Sequence, residues 1–277
     1  QQAQYQHHLA AARAQADDEG SVAVANAEAA GVAQIAATIY GENATVDLTN
    51  TAMESIDVHS TAEAFGWAAY ADGFGAAQIA VAYSTDGTAS ASIVNTGRIS
   101  ADISGFASGI YEAYAEANAA GAEQLVIGGA VADAYIDNTG VIEATAKATA
   151  DSYIEEASAN AQAQGALQYA ITGGFYGPGY TADATLINDN SISADATANA
   201  QAYNYGGPGD AVAYATATGV GQYAFSDRAN TSVVNTGTIS AHADSYASSF
   251  DASAFATAAA FGVAQVADGW RVAHATL

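Results

Sequence analysis

One turn sequence occurs twice in this chain: SASIVNTGRISAD at residues 90–102 and SVVNTGTISAH at residues 232–242. A related stretch, NTGVIEA, begins at Asn138. In each case an alternating run leads into Asn-Thr-Gly, and an Ile-x-Ala run follows it. Glycine at the third position predicts a turn with a positive φ. A turn that recurs with the same flanks indicates a chain built of equivalent units.

The turn asparagine defines a period. Equivalent asparagines follow one another at intervals of 45, 43, 50 and 47 residues: Asn50, Asn95, Asn138, Asn188 and Asn235. An aliphatic residue lies two positions before each, and an alanine lies six positions before each. A second motif, Gly-x-x-Gln, recurs with its glutamines at Gln34, Gln78, Gln124, Gln168, Gln222 and Gln265. The two motifs together predict about six repeats of about 46 residues.

Small residues occupy alternate positions before the glycine of Gly-x-x-Gln. The residues two, four and six positions earlier are alanine in every repeat, except that Gly73 replaces one of them. A period of two is typical of a strand, whereas a helix repeats every three to four residues. Single alternating runs of this length favour a solenoid coil over the four short strands of a propeller blade. We therefore predict an all-β fold, a β-solenoid similar to a parallel β-helix, as a single domain over residues 1–277.

The predicted stacking has two consequences for the interior. Equivalent residues of stacked coils lie about 4.8 Å apart, so the asparagines and the glutamines should each form a ladder of hydrogen-bonded amides. An interior lined mainly by alanine lets the facing sheet approach closely and leaves little room for a ligand cavity.

Composition narrows the classes of function. Five Lys and Arg stand against 29 Asp and Glu, and the formal net charge of -24 disfavours nucleic acid and anionic membranes as partners. The sequence has no run of about 18 apolar residues that would insert into a membrane. The cations are dispersed, the histidines form no metal triad, and no Gly-x-Ser-x-Gly motif is present. We therefore expect neither an enzyme nor a bound cofactor.

The turns at Asn95, Asn138 and Asn235 resemble the Asn-x-Gly-x-Ile turns of bacterial β-solenoid surface proteins, which include autotransporter passengers and haemagglutinin-like adhesins. The resemblance covers most of the chain. It implies a secreted protein, extracellular or at the cell surface, with a structural or adhesive role such as in a biofilm matrix. The coils of this chain are longer and richer in alanine than is usual in that group, which weakens the adhesive role more than the solenoid.

The two ends of the chain have complementary sequences. The stretch AHATL at residues 273–277 repeats the pattern of ADATL at residues 182–186 and stops where the asparagine turn would follow. Open solenoid ends expose strand edges, and a head-to-tail contact that does not close into a ring produces a filament. A second copy placed after Leu277 would continue the period of the glycine motif. The alternative is that the 277 residues are a slice of a longer solenoid.

Near the other end, Leu9 and Ala11 have the spacing of Ile239 and Ala241 in the last repeat. This match predicts that the beginning of the chain supplies the strand that would follow its end. The predicted junction between subunits comprises Gln1, Gln2, Leu9, Ala11, Ala273, Ala275 and Leu277.

Two Gly-Pro-Gly loops, at residues 177–179 and 207–209, are flanked by aromatic residues. Insertions in a solenoid project from one edge, where aromatic rings can contact a neighbouring filament or a glycan. The candidate binding residues are Phe175, Tyr176, Tyr180, Tyr203 and Tyr205. The alternative is a pair of ordinary turns with tyrosines packed over a corner of the coil.

Acidic residues give a weak calcium candidate at Asp183, Asp189 and Asp195, because Ca²⁺ is bound by oxygen ligands. A solvated acidic face is the alternative. Two functions remain open: a structural subunit of an extracellular bacterial filament that binds copies of itself, and an adhesin stalk or glycan-binding segment of a longer autotransporter-like protein.

Overall fold

The computed structural model of the protein describes residues 5–15, 23–38, 43–172, 179–203 and 209–277. The described ranges contain sixteen β-strands and no helix. Within the same ranges, no helix is long and apolar enough to cross a membrane.

The bounds of the strands are β1 Tyr5–Gln15, β2 Val24–Thr38, β3 Asn43–Asn50, β4 Ser55–Phe65, β5 Ala68–Ala82, β6 Thr88–Asn95, β7 Arg98–Gly109, β8 Ala113–Gly128, β9 Val131–Asn138, β10 Val141–Ser152, β11 Ala157–Thr172, β12 Thr181–Asn188, β13 Ser191–Ala202, β14 Ala211–Asn235, β15 Thr238–Ser249 and β16 Ala254–Thr276. From β1 to β12, each circuit of the chain has a first strand, a longer second strand, called the long strand below, and a third strand. In the circuits that begin with β13 and β15, the long strand and the third strand are continuous, as β14 and β16.

All strand pairs are parallel, and they form two sheets. The first sheet has the order β1-β4-β7-β10-β13-β15, and the second has the order β2-β5-β8-β11-β14-β12-β9-β6-β3, with β16 on β14. Strand β14 pairs with both β11 and β12 because it contains the long strand and the third strand of its circuit in one piece. The predicted all-β class is confirmed, and the parallel sheets have the arrangement of a β-solenoid.

The alternation in the sequence becomes the alternation between the interior and the surface. In β8, Ala115, Ala117 and Ala119 are buried, while the residues between them are partly exposed. The same positions of β5 and β11 pair with them in register. Methyl side chains that repeat at every coil allow the first sheet to pack closely on the long strands, so the largest hydrophobic cluster consists mainly of alanine.

Most of the larger buried side chains occupy the middle of each coil, although Val58 and Ile103 lie in the first alanine layer. Ile99, Ile142 and Ile192 of the first sheet pack there against Ile93, Ile136 and Leu186, which lie two positions before the turn asparagines. A second cluster of alanines fills the space between the end of the long strand and the third strand. The interior of the coil therefore has an aliphatic centre between two thin layers of alanine.

The glycine of Gly-x-x-Gln lies where the long strand passes the central isoleucine. A Cβ atom on Gly165 would lie 2.6 Å from the carbonyl oxygen of Gly219 in the next circuit and 2.6 Å from Cγ2 of Ile192. Gly121 and Gly219 have the same surroundings. Glycine is required at this position because two backbones and an isoleucine meet there.

The expected positive φ in the Asn-Thr-Gly turns is wrong. Gly179 is the one glycine with a positive φ in the described ranges. Gly97, Gly140 and Gly237 instead lie against backbone of the turn in the neighbouring circuit, where a Cβ atom would collide. The turn requires glycine for close stacking, which the pattern of one turn does not reveal.

Gly165→Ala should destabilise the fold by about 1–3 kcal/mol, because the added methyl group overpacks the centre of the coil. Gly262→Ala is the matched control, since a Cβ atom at this position in the last circuit meets no described atom within 4 Å. Urea unfolding followed by circular dichroism measures both variants. Equal midpoints for the two variants would contradict the close approach at Gly165.

Candidate functional site

The turn asparagines form a continuous ladder of side-chain hydrogen bonds. From Asn50 to Asn188, each Nδ2 donates to Oδ1 of the asparagine in the next circuit at 2.7 Å. The same nitrogen also donates to a backbone carbonyl of the next circuit, as Asn95 does to Val141 at 3.1 Å. Asn95, Asn138 and Asn188 are fully buried. Each circuit is thereby joined to the following one at the corner of the coil.

The glutamines form a second ladder whose donors point the opposite way. From Gln78 to Gln265, each Nε2 donates to Oε1 of the glutamine in the preceding circuit at 2.8 or 2.9 Å. The same nitrogen donates to a backbone carbonyl of the third strand, as Gln168 does to Thr185 at 3.0 Å. The glutamines thus join neighbouring circuits and also hold the two walls of one circuit together.

These buried amides fix the register of the stack. A slip by one residue would turn each ladder amide towards solvent and leave its neighbours without partners, at a cost of about 1–3 kcal/mol for each unpaired buried group. The stack has a direction as well, because the asparagines donate towards the C-terminal end and the glutamines donate towards the N-terminal end.

Gln168→Leu should lower the free energy of unfolding by about 2–4 kcal/mol, because it removes the donor to the buried Oε1 of Gln124 and to the carbonyl oxygen of Thr185. Gln162→Leu is the control, since this side chain of the same strand is exposed. The midpoint of chemical denaturation measures the difference. If both variants unfold together, the ladder does not contribute to stability.

The C-terminal face of the solenoid, formed by the edges of β15 and β16, leaves part of the interior uncovered. Each inner strand of the first sheet packs on two long strands, as β13 packs on β11 and β14. Inner long strands are likewise covered by two strands of the first sheet, as β14 is by β13 and β15, but among the described residues β16 is covered by β15 alone. Four inward alanines of β16 are exposed, whereas the alanines that pair with them in β14 are at most 1% exposed: Ala254, Ala256, Ala258 and Ala260 against Ala211, Ala213, Ala215 and Ala217.

The N-terminal face, formed by the edges of β1, β2 and β3, has a cavity of about 80 Å³ beside the central aliphatic cluster. Val32 and Leu48 line the cavity and are only half-buried, while Ile93, which pairs with Leu48, is fully buried. Asn50 also lines the cavity. Its side chain is 1% exposed, and its Oδ1 has no hydrogen-bond partner among the described residues. Both faces therefore interrupt packing that is complete in the inner circuits.

The predicted junction residues lie at these two faces where the structure describes them. Ala273 and Ala275 pair with Ala229 and Thr231, and Leu277 is 80% exposed. Gln1 and Gln2 lie outside the described residues.

The expected equivalence of Leu9 with Ile239 is wrong by three positions. Strand β1 pairs with β4 so that Gln6 takes the register of Ile56, which is the column of Ile239, while Leu9 lies beside His59 and Ala11 beside Thr61. Spacing within one short stretch is insufficient, because two matching positions do not fix the register of a strand. A shift of three positions also exchanges the two faces of the strand, and the pairing of β1 with β4 decides between them.

The proposed aromatic cluster is divided between two corners of the coil. Tyr180 precedes β12, whereas Tyr203 follows β13, so the two residues lie at opposite ends of the long strand. Tyr203 stacks on Tyr153 with ring centroids 5.5 Å apart, and both rings are exposed. Sequence reasoning missed Tyr153 because its corner contains no Gly-Pro-Gly loop. Phe175, Tyr176 and Tyr205 lie outside the described residues.

The three calcium candidates do not form one site. Oδ1 of Asp183 accepts a hydrogen bond from Asn230 at 2.6 Å, and Oδ1 of Asp189 accepts one from Thr236 at 2.7 Å. Asp195 lies on the first sheet, 3.6 Å from Nδ1 of His242. Across the described ranges, no group of three or more His, Cys, Asp or Glu side chains is arranged to hold a metal ion.

Stacking also perturbs acidic and phenolic groups on the outer surface. Burial raises the pKa of Glu123, and burial together with the carboxylate of Asp183 in the next circuit raises the pKa of Asp133. Burial and a hydrogen bond to Glu116 raise the pKa of Tyr114 to about 12. Burial is the main cause of all three pKa shifts, and the three groups are not gathered in one cleft.

No family model matches this chain, and no curated protein or solved structure matches it either. The site is therefore defined by its geometry: two amide ladders with a direction, and two end faces at which the inner packing is incomplete.

Proposed function

We propose that the protein is a structural subunit of an extracellular bacterial filament or matrix fibre, in which solenoids of about six coils of about 46 residues stack head to tail. The observation that carries the proposal is the pair of open faces. Strands β1, β2 and β3 at one face and β15 and β16 at the other have an unpaired edge within the described ranges. Unpaired edges of parallel sheets bind further strands readily.

The charges at the two faces are compatible with such a stack despite the net charge of -24. A copy that continues the register places Gly31 beside Gly262, as Gly219 lies beside Gly262 within the chain. In that register Glu28 faces Ala259, Asp47 faces Thr276, and Asp268 faces Ala37. Because these three described acidic residues meet neutral ones across the junction, repulsion between like charges at their positions is small.

The extracellular location is supported by the resemblance of the Asn-x-Gly-x-Ile turns to those of secreted bacterial solenoids. The structural role is supported by the interior, in which methyl groups fill the space between the walls.

Purified protein should form unbranched filaments in electron micrographs, with a layer spacing of about 4.8 Å by fibre diffraction. Filaments that persist in a chelator would show that calcium is not required. Gly262→Ala should fold normally and lose assembly, because its methyl group would meet the backbone of the next copy as at Gly219. Thr257→Ala, on the outward side of the same strand, should assemble. Dispersed rods about 29 Å long under all conditions would overturn the proposal.

The second candidate, an adhesin stalk or glycan-binding segment, is favoured by the exposed Tyr153–Tyr203 stack. Aromatic faces bind sugar rings and other apolar surfaces. If this function operates, the double variant Tyr153→Ser, Tyr203→Ser should abolish binding to a glycan array, while Tyr246→Ser, an exposed tyrosine elsewhere, should not. Equal binding by the two variants would remove this corner as the binding site.

A further inference from the structure

We infer that a second copy of this chain binds the C-terminal face through its own N-terminal face, in the register of the inner circuits, and that the direction of the glutamine ladder excludes any other orientation. This inference rests on the proposed function and specifies the contact that the proposal requires. The same occupant, a second copy of the chain, covers both open faces.

The first support is the uncovered row of alanines on β16. In the inner circuits, the equivalent row of β14 is covered by both β13 and β15. The row on β16 lacks the second cover within the described chain, and a strand with the position of β1 would supply it. Among the described residues of its own copy, β1 pairs with β4 and packs on one long strand, β2, so that its other side is available to β16 of the copy below. The groove, which is the uncovered row of alanines on β16, and strand β1 of a second copy would together form the contact that repeats between inner circuits.

The second support is the cavity at the N-terminal face. Leu277 follows β16 at the position that continues the aliphatic column of Val233, Leu186 and Ile136. In a stack that keeps the register, its exposed side chain meets Leu48 and covers the central cluster. Oδ1 of Asn50 is buried and has no hydrogen-bond partner among the described residues. It faces the N-terminal side of the coil, because Nδ2 of the same side chain donates to Asn95 on the C-terminal side.

The third support is the polarity of the glutamine ladder. In each inner circuit Nε2 donates one hydrogen within its circuit and the other to the preceding glutamine. Gln34 donates to Asp47 within its own circuit, so its second hydrogen points to the copy below. Gln265 donates to Gln222 and Thr276, which leaves Oε1 as the group presented to the copy above. A donor therefore meets an acceptor only when unlike faces meet.

Two like faces do not satisfy these groups. Two N-terminal faces would bring the amide nitrogens of Gln34 together, and two C-terminal faces would bring the oxygens of Gln265 together. Either contact also pairs strands in opposite directions, whereas every strand pair of the described chain is parallel. Unlike faces therefore form a heterologous contact that repeats without limit.

The test uses two variants of the full chain, each blocked at one face. Ala258→Arg places a charged side chain in the groove of β16, and Leu48→Arg places one in the cavity of the N-terminal face. Thr257→Arg and Thr45→Arg are the controls, because they place the same charge on exposed, outward positions of the same two strands, and Thr45 does not line the cavity. Gly262→Ala and Gln34→Arg are the second variants for each face if a first variant unfolds below the temperature of the experiment.

Each blocked variant alone should remain a monomer by analytical ultracentrifugation, and an equimolar mixture should give one species of about twice 27.7 kDa. The two controls should form filaments like the original chain. Homodimers of either blocked variant alone would overturn the inference, since they require like faces to bind. So would a mixture that stays monomeric while the original chain assembles. If the original chain itself never assembles, the proposed function fails together with the inference.

Discussion

The structure depends on one constraint: parallel coils must repeat the same backbone about every 4.8 Å, so each side chain has a copy of its position directly above and below. Residues that benefit from such neighbours are amides, which donate and accept, and alanines, which pack without competing for space. This accounts for the two amide ladders and for the thin interior of methyl groups. Charges do not benefit, and most of them lie on the outer surface; burial, with the neighbouring carboxylate of Asp183, raises the pKa of Asp133.

The glycines show how strict the constraint is. At Gly121, Gly165 and Gly219 the backbone of one circuit lies against the backbone of the next and against an isoleucine, so no side chain fits. Gly262 has the same sequence context but open space beside it, because no described circuit follows. The same residue type therefore stabilises the fold inside the stack and keeps the surface at its end free for the proposed contact.

The stack also gives the molecule a direction that a single coil lacks. The asparagines donate one way along the axis and the glutamines the other, so that the two faces differ in hydrogen bonding as well as in shape. The ladder amides contribute more to the specificity of the contact than to its affinity, because a buried donor placed opposite another donor loses its hydrogen bond. An extracellular filament built on such faces would grow by one kind of contact.

The sequence by itself determined the strand period, the parallel stacking of equivalent units and the two columns of amides, because these follow from residues that recur at fixed intervals. Only the tertiary structure decided the register of β1, which places Gln6 in the column of Ile239, since two matching positions in one strand do not fix its pairing. It also decided that Tyr180 and Tyr203 lie at opposite corners and that the turn glycines are needed for close approach. These features depend on contacts between circuits, and the spacing of residues along one chain does not contain them.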